Sequence, residues 1–301
     1  MRVLIFFLIY RTSTIINNNL QYDLNTFKNI KKLSITNANV RNIVSINSIR
    51  KTCDTLIVHK SKMKSVSDML LCDAIHKDGA EVETNGNKWQ SLINVDFTDN
   101  EIEEIGHSVS LAPNIEKLNL SFNNLSTIDC LTKLPHLVSL NLSNNKFEEL
   151  LNVHMKLGNV VELDLSHNSL SSLEGLSKLY SLTSLNVSSN DINDVSTVEA
   201  ISGLPCLESL ILNGNVVATV VDYRIKVIEL FGTRSSEITL DNEPPTQPEL
   251  DKVRVLQALR AAKEGRIPMM NFSCPISSSF TAPYVPPDQG VAANELLSNN
   301  S

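Results

Sequence analysis

The chain has 301 residues, of which 42% are hydrophobic, and this is enough apolar material for a sizeable buried core. Its formal net charge of −7 and its pI near 5.4 argue against nucleic acid or an anionic membrane surface as a direct partner. Its five cysteines form no C-x-x-C pair, so they predict neither a zinc site nor a redox motif, and their odd number favours a reducing compartment.

The N-terminal run 3–10 consists of eight apolar or aromatic residues after a single arginine. This run is too short to span a bilayer. It resembles the apolar part of a signal peptide, but no small-residue cleavage site follows it. We therefore expect a strand or a helix of a preceding domain, with a signal peptide as the less favoured alternative.

Residues 1–88 form a segment in which a pattern of the type L-x-x-L-x-L-x-x-N-x-L is present twice in degenerate form. Ala38 stands at the asparagine position of the first copy and Ser61 at that of the second. The apolar positions of the two copies are Ile30, Leu33, Ile35 and Val40, and then Cys53, Leu56, Val58 and Met63. The stretch 66–87 fits no copy and is rich in charged residues and glycine, so we predict a polar insertion there.

Residues 89–217 contain six clear copies of the pattern. The L-x-L pair predicts a short strand whose leucines point into the core, and the asparagine can satisfy backbone groups where the chain leaves that strand. The period predicts an α/β leucine-rich repeat solenoid of about 22-residue repeats, with parallel strands on its concave face and short helical turns on its return side. The asparagines, which should stack into a ladder, are Asn100, Asn123, Asn145, Asn168, Asn190 and Asn215.

The residues that point outward from these strands should form a polar and mildly acidic concave face. Solenoids of this kind usually hold another macromolecule on that face, so we predict a protein-binding surface there, with a merely solvated strand face as the alternative for any single residue. The candidate contact residues are Glu116, Lys117, Phe122, Glu162, Asp164, His167 and Glu208.

Motifs that would support catalysis are missing from the sequence: it has no phosphate-binding loop, no H-E-x-x-H and no G-x-S-x-G. The nearest approach to a catalytic arrangement is Asp164 with His167 and the serines at 143, 166 and 188, all at strand ends. A serine hydrolase would also need a nucleophile elbow and a pocket, and an open solenoid face supplies neither. We therefore predict a non-enzymatic protein with no catalytic residue, no metal ligand and no cofactor.

Residues 218–245 have the features of a C-terminal cap that covers the open end of the core. A helically spaced apolar set precedes Gly232, a suitable helix stop, and a last short strand is expected around Leu240. Residues 246–266 predict a second helix with an apolar stripe, which either packs back on the cap or binds a partner. Residues 267–301 are rich in proline, serine and asparagine and predict a disordered tail.

The region 89–265 resembles the nischarin family. The central repeats of that family are similar to GNVVELDLSHNSLSSLEGLSKLYSLTSLNV at 158–187. Its cap is similar to DYRIKVIELFGTRSSEITLDNEPP at 222–245, and its post-cap helix to PELDKVRVLQALRAAKEG at 248–265. The cap and helix carry the resemblance more specifically than the repeats, and the matching cap positions include Tyr223, Arg224, Phe231 and Leu240.

The resemblance implies a cytoplasmic and endosomal scaffold. Partners in that family are Rac- and Rab-type small GTPases, p21-activated and LIM-type kinases, and the cytoplasmic tail of an integrin alpha subunit. The resemblance includes neither the phosphoinositide-binding PX domain nor the long C-terminal region of the family, so contact with a membrane is expected only indirectly.

Two other protein-binding readings remain open beside this one. A phosphatase-regulator-type repeat subunit shares the 22-residue period, but the cap sequence disfavours it. A secreted ligand-binding repeat protein would suit the six N-x-S/T sequons in the chain. However, the sequons at Asn119, Asn141 and Asn186 are explained by the repeat pattern itself.

Overall fold

A computed structural model describes residues 3–7, 21–27, 29–72 and 88–263, and for 3–7 it describes the backbone alone. Within these ranges, ten parallel strands form one sheet. In sheet order they are β1 (Val3–Phe7), β3 (Lys32–Thr36), β5 (Thr55–His59), β6 (Asn94–Asp96), β7 (Lys117–Asn119), β8 (Ser139–Asn141), β9 (Glu162–Asp164), β10 (Ser184–Asn186), β11 (Ser209–Ile211) and β12 (Thr239–Leu240). A separate pair consists of β2 (Tyr22–Asp23) and β4 (Ile43–Val44). The predicted leucine-rich repeat solenoid is confirmed.

The strands stack in a single register, which places equivalent residues of successive repeats side by side. Leu118 pairs with Leu140, and Leu140 pairs with Leu163. These leucines are buried, while the residues before and after each of them lie on the opposite, concave face. One row of leucines therefore builds the core while the adjacent rows build the candidate binding surface.

Short helices form the return side, because a period of about 22 residues leaves room for little else. They are the 3₁₀ segments Val40–Asn42, Ile46–Ser48, His107–Leu111, Leu131–Lys133, Glu174–Leu176 and Val216–Thr219, with the α-helices α1 (Ser67–Leu70), α2 (Val153–Leu157) and α3 (Ser196–Ser202). Their apolar residues, such as Leu131, Val153 and Leu176, are buried against the same core as the strand leucines.

Asparagine side chains hold each strand exit to its neighbours. The Asn145 amide nitrogen donates to the carbonyl oxygens of Leu120, Leu142 and Ser143 at 2.9, 3.0 and 3.1 Å. Its amide oxygen accepts from the backbone N–H of Leu125 at 2.9 Å. The same cross-repeat pattern surrounds Asn100, Asn123, Asn168, Asn190 and Asn215. Backbone groups that the bend would leave unpaired are satisfied in this way.

The N-terminal strand differs from its expected place. β1 pairs in parallel with β3, from Val3 against Lys32 to Phe7 against Thr36. The run 3–7 therefore extends the solenoid sheet instead of belonging to a preceding domain. A short apolar run suits a buried parallel strand as well as any other buried element, so the sequence alone could not place it. The end of that run, 8–10, lies outside the described residues.

The beginning of the stretch predicted as a polar insertion packs into the core. Val66, Met69, Leu70 and Cys72 are all buried, three of them in or next to α1. The prediction of a polar insertion from position 66 is therefore wrong at its start. Half-buried polar residues, Ser67 and Asp68, lie between the buried apolar ones, which hid the helix in the sequence. Residues 73–87 lie outside the described part of the chain.

A buried arginine connects this segment to the first clear repeat. Arg50 donates to the Leu70 carbonyl oxygen at 2.9 Å and to the Asn47 side chain at 2.6 Å. Its guanidinium lies 5.8 Å from the centroid of the fully buried Trp89 ring. Because an arginine is removed from water only where its N–H groups find acceptors, these contacts fix how the N-terminal repeats join the regular ones.

The C-terminal cap contains α4 (Tyr223–Leu230), the 3₁₀ segment Gly232–Arg234 and β12, and α5 (Gln247–Lys263) follows it. α5 packs on α4: Val253 is buried, Arg260 lies 2.9 Å from the Glu229 carboxylate, and the Gln257 amide donates to the Gly232 carbonyl oxygen at 3.0 Å. The helix thus packs back on the cap over part of its length, although Leu259 stays 56% exposed. None of the helices in the described ranges is long and apolar enough to cross a bilayer.

Glu249 lies in the first turn of α5 and connects this helix to the cap. One carboxylate oxygen accepts from the N–H and hydroxyl of Thr246, at 2.8 and 2.9 Å, which is a capping box. The other accepts from the Arg224 guanidinium at 2.8 Å. Burial alone would raise the pKa of this carboxyl group, but the hydrogen bonds from Arg224 and Thr246 outweigh it and hold the pKa below its usual value.

We expect Glu249→Gln to lower the free energy of unfolding by about 1 kcal/mol at neutral pH, as loss of a charged cap does. Because the pKa is lower in the folded chain, the carboxylate contributes stability above its usual pKa of about 4.3, and this is lost as the pH falls through the folded value. Urea unfolding at pH 7 and at about pH 3 measures both effects. The difference between variant and wild type should shrink at the lower pH, whereas the exposed control Glu148→Gln should match wild type at pH 7.

Candidate protein-binding surface

The last residues of β6 to β10 form a polar column on the concave face, which we call the exit column: Asp96, Asn119, Asn141, Asp164 and Asn186. The sheet register places these five residues side by side. Each has a side-chain oxygen that accepts the backbone N–H two residues later, at 2.9 to 3.1 Å. Asparagine and aspartate side chains make this contact more strongly than serine or threonine.

The exit column determines which side-chain atoms remain for a ligand. With one oxygen committed to the backbone, an asparagine has only its amide nitrogen left, and an aspartate has its second carboxylate oxygen. Asn119 and Asn141 therefore present donors, whereas Asp164 presents a negatively charged acceptor. Sequence reasoning missed this column, although the recurring N/D-x-S/T triplet at each strand end was a usable signal. The same triplet accounts for the sequons at Asn119, Asn141 and Asn186.

The predicted contact residues occupy three different parts of this face. Glu116 and Glu208 lie at strand starts, Lys117 lies on β7, and Glu162 and Asp164 share β9. Phe122 and His167 both follow strand ends in the left-handed region, each at φ 54°, and Phe122 is 55% exposed. The structure therefore brings Glu162 and Asp164 together but does not gather all seven residues into one patch.

The arrangement of Asp164, His167 and the neighbouring serines is structural. The Ser166 hydroxyl donates to the Asp164 carboxylate at 2.7 Å, and Ser166 is buried. His167 comes next in the chain, is exposed, and has a left-handed backbone conformation. One carboxylate oxygen of Asp164 thus closes its own strand end, whereas a catalytic aspartate would orient the histidine.

An open groove crosses the first half of the concave face. It has a volume of about 390 Å³ and is lined by residues of β5 to β8, among them Ile57, Asn94, Lys117, Asn119 and Asn141. Beside it, the Nε2 atom of His59 lies 3.0 Å from the Asp96 carboxylate. The groove is therefore lined by charges of both signs, from Asp96 and Lys117. Strand β5 contributes one apolar residue to the lining, Ile57.

The cysteines of the described ranges do not form a second candidate site. Among the described residues, Cys53, Cys130 and Cys206 are free thiols, and the Cys72 sulfur lies 3.0 and 3.1 Å from the carbonyl oxygens of Val40 and Ile43. Burial raises the pKa of the Cys53 thiol to about 11, which keeps it protonated and unreactive near neutral pH. The described ranges also contain no group of three or more histidine, cysteine, aspartate or glutamate side chains placed to hold a metal ion.

Comparisons with known proteins agree with this architecture. Residues 90–147 match the family model described as "Leucine rich repeat", and residues 159–197 match "Leucine Rich repeats (2 copies)". Among solved structures, an internalin from Listeria monocytogenes is 19% identical with a TM-score of 0.46, over 76% of this chain and 67% of that one. A leucine-rich repeat protein from Leptospira interrogans is 21% identical with a TM-score of 0.56, over 77% of this chain and 54% of that one. The chain thus spans about two thirds of the first and about half of the second, and the likeness to the second shows the shared fold.

Proposed function

We propose that this chain, which is a leucine-rich repeat protein, acts as a non-enzymatic scaffold that binds other proteins on its concave face. The observation that carries the proposal is the exposed polar surface of the parallel sheet. The asparagine ladder and the exit column both hold the exit ends of its strands. A surface held this firmly loses little conformational freedom when a partner binds, so more of the contact energy appears as affinity.

The finer proposal is a nischarin-like role in signalling by small GTPases, p21-activated kinase and integrins, in the cytoplasm and at endosomes. Its support is the cap, where the resembling positions form one connected unit. Tyr223 donates its hydroxyl to Asp241 at 2.9 Å, and Arg224 donates to the Leu240 carbonyl oxygen at 2.8 Å. Phe231 is buried in the same hydrophobic core as Tyr223 and Leu240.

The charge on β9 indicates which part of a partner this face would attract. Glu162 is exposed, and the second carboxylate oxygen of Asp164 is left over after the contact with Ser166. Both side chains lie on the same face of one strand, since they are two residues apart. They would steer a basic region of a partner toward the sheet and raise the rate of association at low salt.

Binding of the full chain to Rac- and Rab-type GTPases, each loaded with a GTP analogue or with GDP, tests the proposal. We expect tighter binding of the GTP form. We also expect Glu162→Gln with Asp164→Asn to weaken it by about 1–2 kcal/mol, mostly through slower association. Asp164→Asn keeps the oxygen that accepts from Ser166, so the strand end is preserved. Glu148→Gln with Glu149→Gln is the matched control on exposed residues beyond the strand exits, and equal binding of both nucleotide states would contradict the finer proposal.

A further inference from the structure

We propose that the partner inserts an arginine or lysine side chain at the strand-start row, the residues directly before the strands: Asp54, Ile93, Glu116 and Val138. This inference rests on the proposed function and names the chemistry of its partner. Backbone hydrogen bonds join the row: Ile93 donates to Asp54 at 2.9 Å, Glu116 to Ile93 at 2.9 Å, and Val138 to Glu116 at 2.8 Å. The four residues therefore lie side by side across four repeats, about 4.8 Å apart.

The centre of the row combines one free carboxylate with two apolar neighbours. Ile93 is 36% exposed and Val138 is 40% exposed, on either side of Glu116. Within the described part of the chain, the Glu116 side chain makes no hydrogen bond or ion pair, and it is exposed. Ile93 and Val138 are two of the few large apolar side chains that this face leaves in contact with water.

A groove of about 470 Å³ lies along this row. Its lining includes Lys31, Asp54, Ile93, Glu116 and His136. Lys31 precedes β3 next to Asp54, because the backbone N–H of Asp54 donates to the Lys31 carbonyl oxygen at 2.8 Å. The Asp54 carboxylate also accepts from the Thr55 hydroxyl at 2.9 Å. Among the described residues, the Glu116 carboxylate is therefore an anion of this groove that makes no hydrogen bond or ion pair.

An arginine or lysine side chain fits this combination better than the alternatives. Its hydrocarbon stem can lie on Ile93, which lines the same groove, while its charged head reaches the Glu116 carboxylate. An apolar side chain would cover the same isoleucine but would remove water from an unpaired carboxylate, which is unfavourable. An acidic side chain would meet Glu116, Asp54 and the net charge of −7.

The test uses the full chain, immobilised, and a library of random short peptides displayed on phage. We expect the selected peptides to be enriched in arginine or lysine next to an apolar residue. We further expect their affinity to fall by about tenfold or more in Glu116→Lys, as replacing attraction by repulsion does. Ile93→Ser should weaken the same peptides without changing any charge. Glu149→Lys, an exposed acid beyond the strand exit of the next repeat, is the matched control and should leave binding unchanged.

The outcomes separate this inference from the proposed function. Selected peptides that lack basic residues, or that bind Glu116→Lys as well as wild type, would overturn the inference while leaving protein binding intact. A library that yields no binder would count against both. Circular dichroism of each variant checks that the repeats are folded, so that a loss of affinity can be assigned to the surface.

Discussion

Replacing Asn145 with alanine is expected to lower the free energy of unfolding by about 2–3 kcal/mol, as leaving buried polar groups unpaired does. The substitution removes three donated hydrogen bonds and the one accepted from the Leu125 N–H. Leu125 is fully buried, so water cannot replace the lost acceptor. The Leu120 carbonyl oxygen would retain only the donor from Asn123. Urea denaturation followed by far-UV circular dichroism measures the effect.

Two further variants test whether the asparagine ladder accounts for the loss of stability expected in Asn145→Ala. Asn145→Asp keeps an oxygen for the Leu125 N–H but places a negative charge beside three carbonyl oxygens, so it should be destabilised at neutral pH as well. Asn193→Ala changes an exposed asparagine of a later repeat and should change stability by less than about 0.5 kcal/mol. A cost at Asn145 no larger than at Asn193 would contradict the structural role assigned to the ladder.

Replacing Gly175 with alanine should be comparably costly, by about 3 kcal/mol, because overpacking at a backbone contact forces the chain to move. A Cβ atom at this position would overlap the carbonyl oxygen of Leu150 in the preceding repeat. Leu150 and Leu176 are both buried around this contact, so neither return segment can shift without opening the core. The glycine sets how closely the two return segments approach.

Gly203→Ala is the matched control for this prediction. Gly203 ends α3 at φ −81°, and a Cβ atom there would meet nothing within 4 Å. Alanine at this position should leave stability unchanged or raise it by about 0.5 kcal/mol, since it restricts the unfolded chain. Thermal unfolding of both variants gives the comparison, and similar midpoints for the two would refute the close approach at Gly175.

The regular part of the fold could be predicted from the sequence because each repeat has the same spacing of apolar residues and asparagine. The spacing of leucines and asparagines implies a strand, a bend and a return, and stacking follows because one repeat cannot bury its own leucines. Single positions such as Leu140 and Asn145 therefore carried architectural information. The leucine-rich repeat solenoid with parallel strands and a helical C-terminal end is confirmed on this basis.

Features that depend on contacts between repeats were beyond the sequence. The burial of Met69 and the contact of Arg50 with Trp89 join segments that are far apart in the sequence, so no local period reveals them. In the exit column, one carboxylate oxygen of Asp164 accepts from the Ser166 backbone N–H. The outward direction of the Asp164 side chain, which the sequence predicts, does not reveal this contact. The groove at Glu116 is also lined by Lys31 and Asp54 of the degenerate repeats, so it depends on the placement of β3 and β5 beside β6.

Hydrogen–deuterium exchange of the full chain, alone and with a GTP-loaded Rac-type GTPase, tests the central claim that the concave face binds proteins. The account predicts slower exchange on binding in the segments that contain β6 to β9 and the residues directly before them. Exchange in α5 and on the return side should stay the same. Unchanged exchange across the sheet, or protection confined to α5, would contradict the claim.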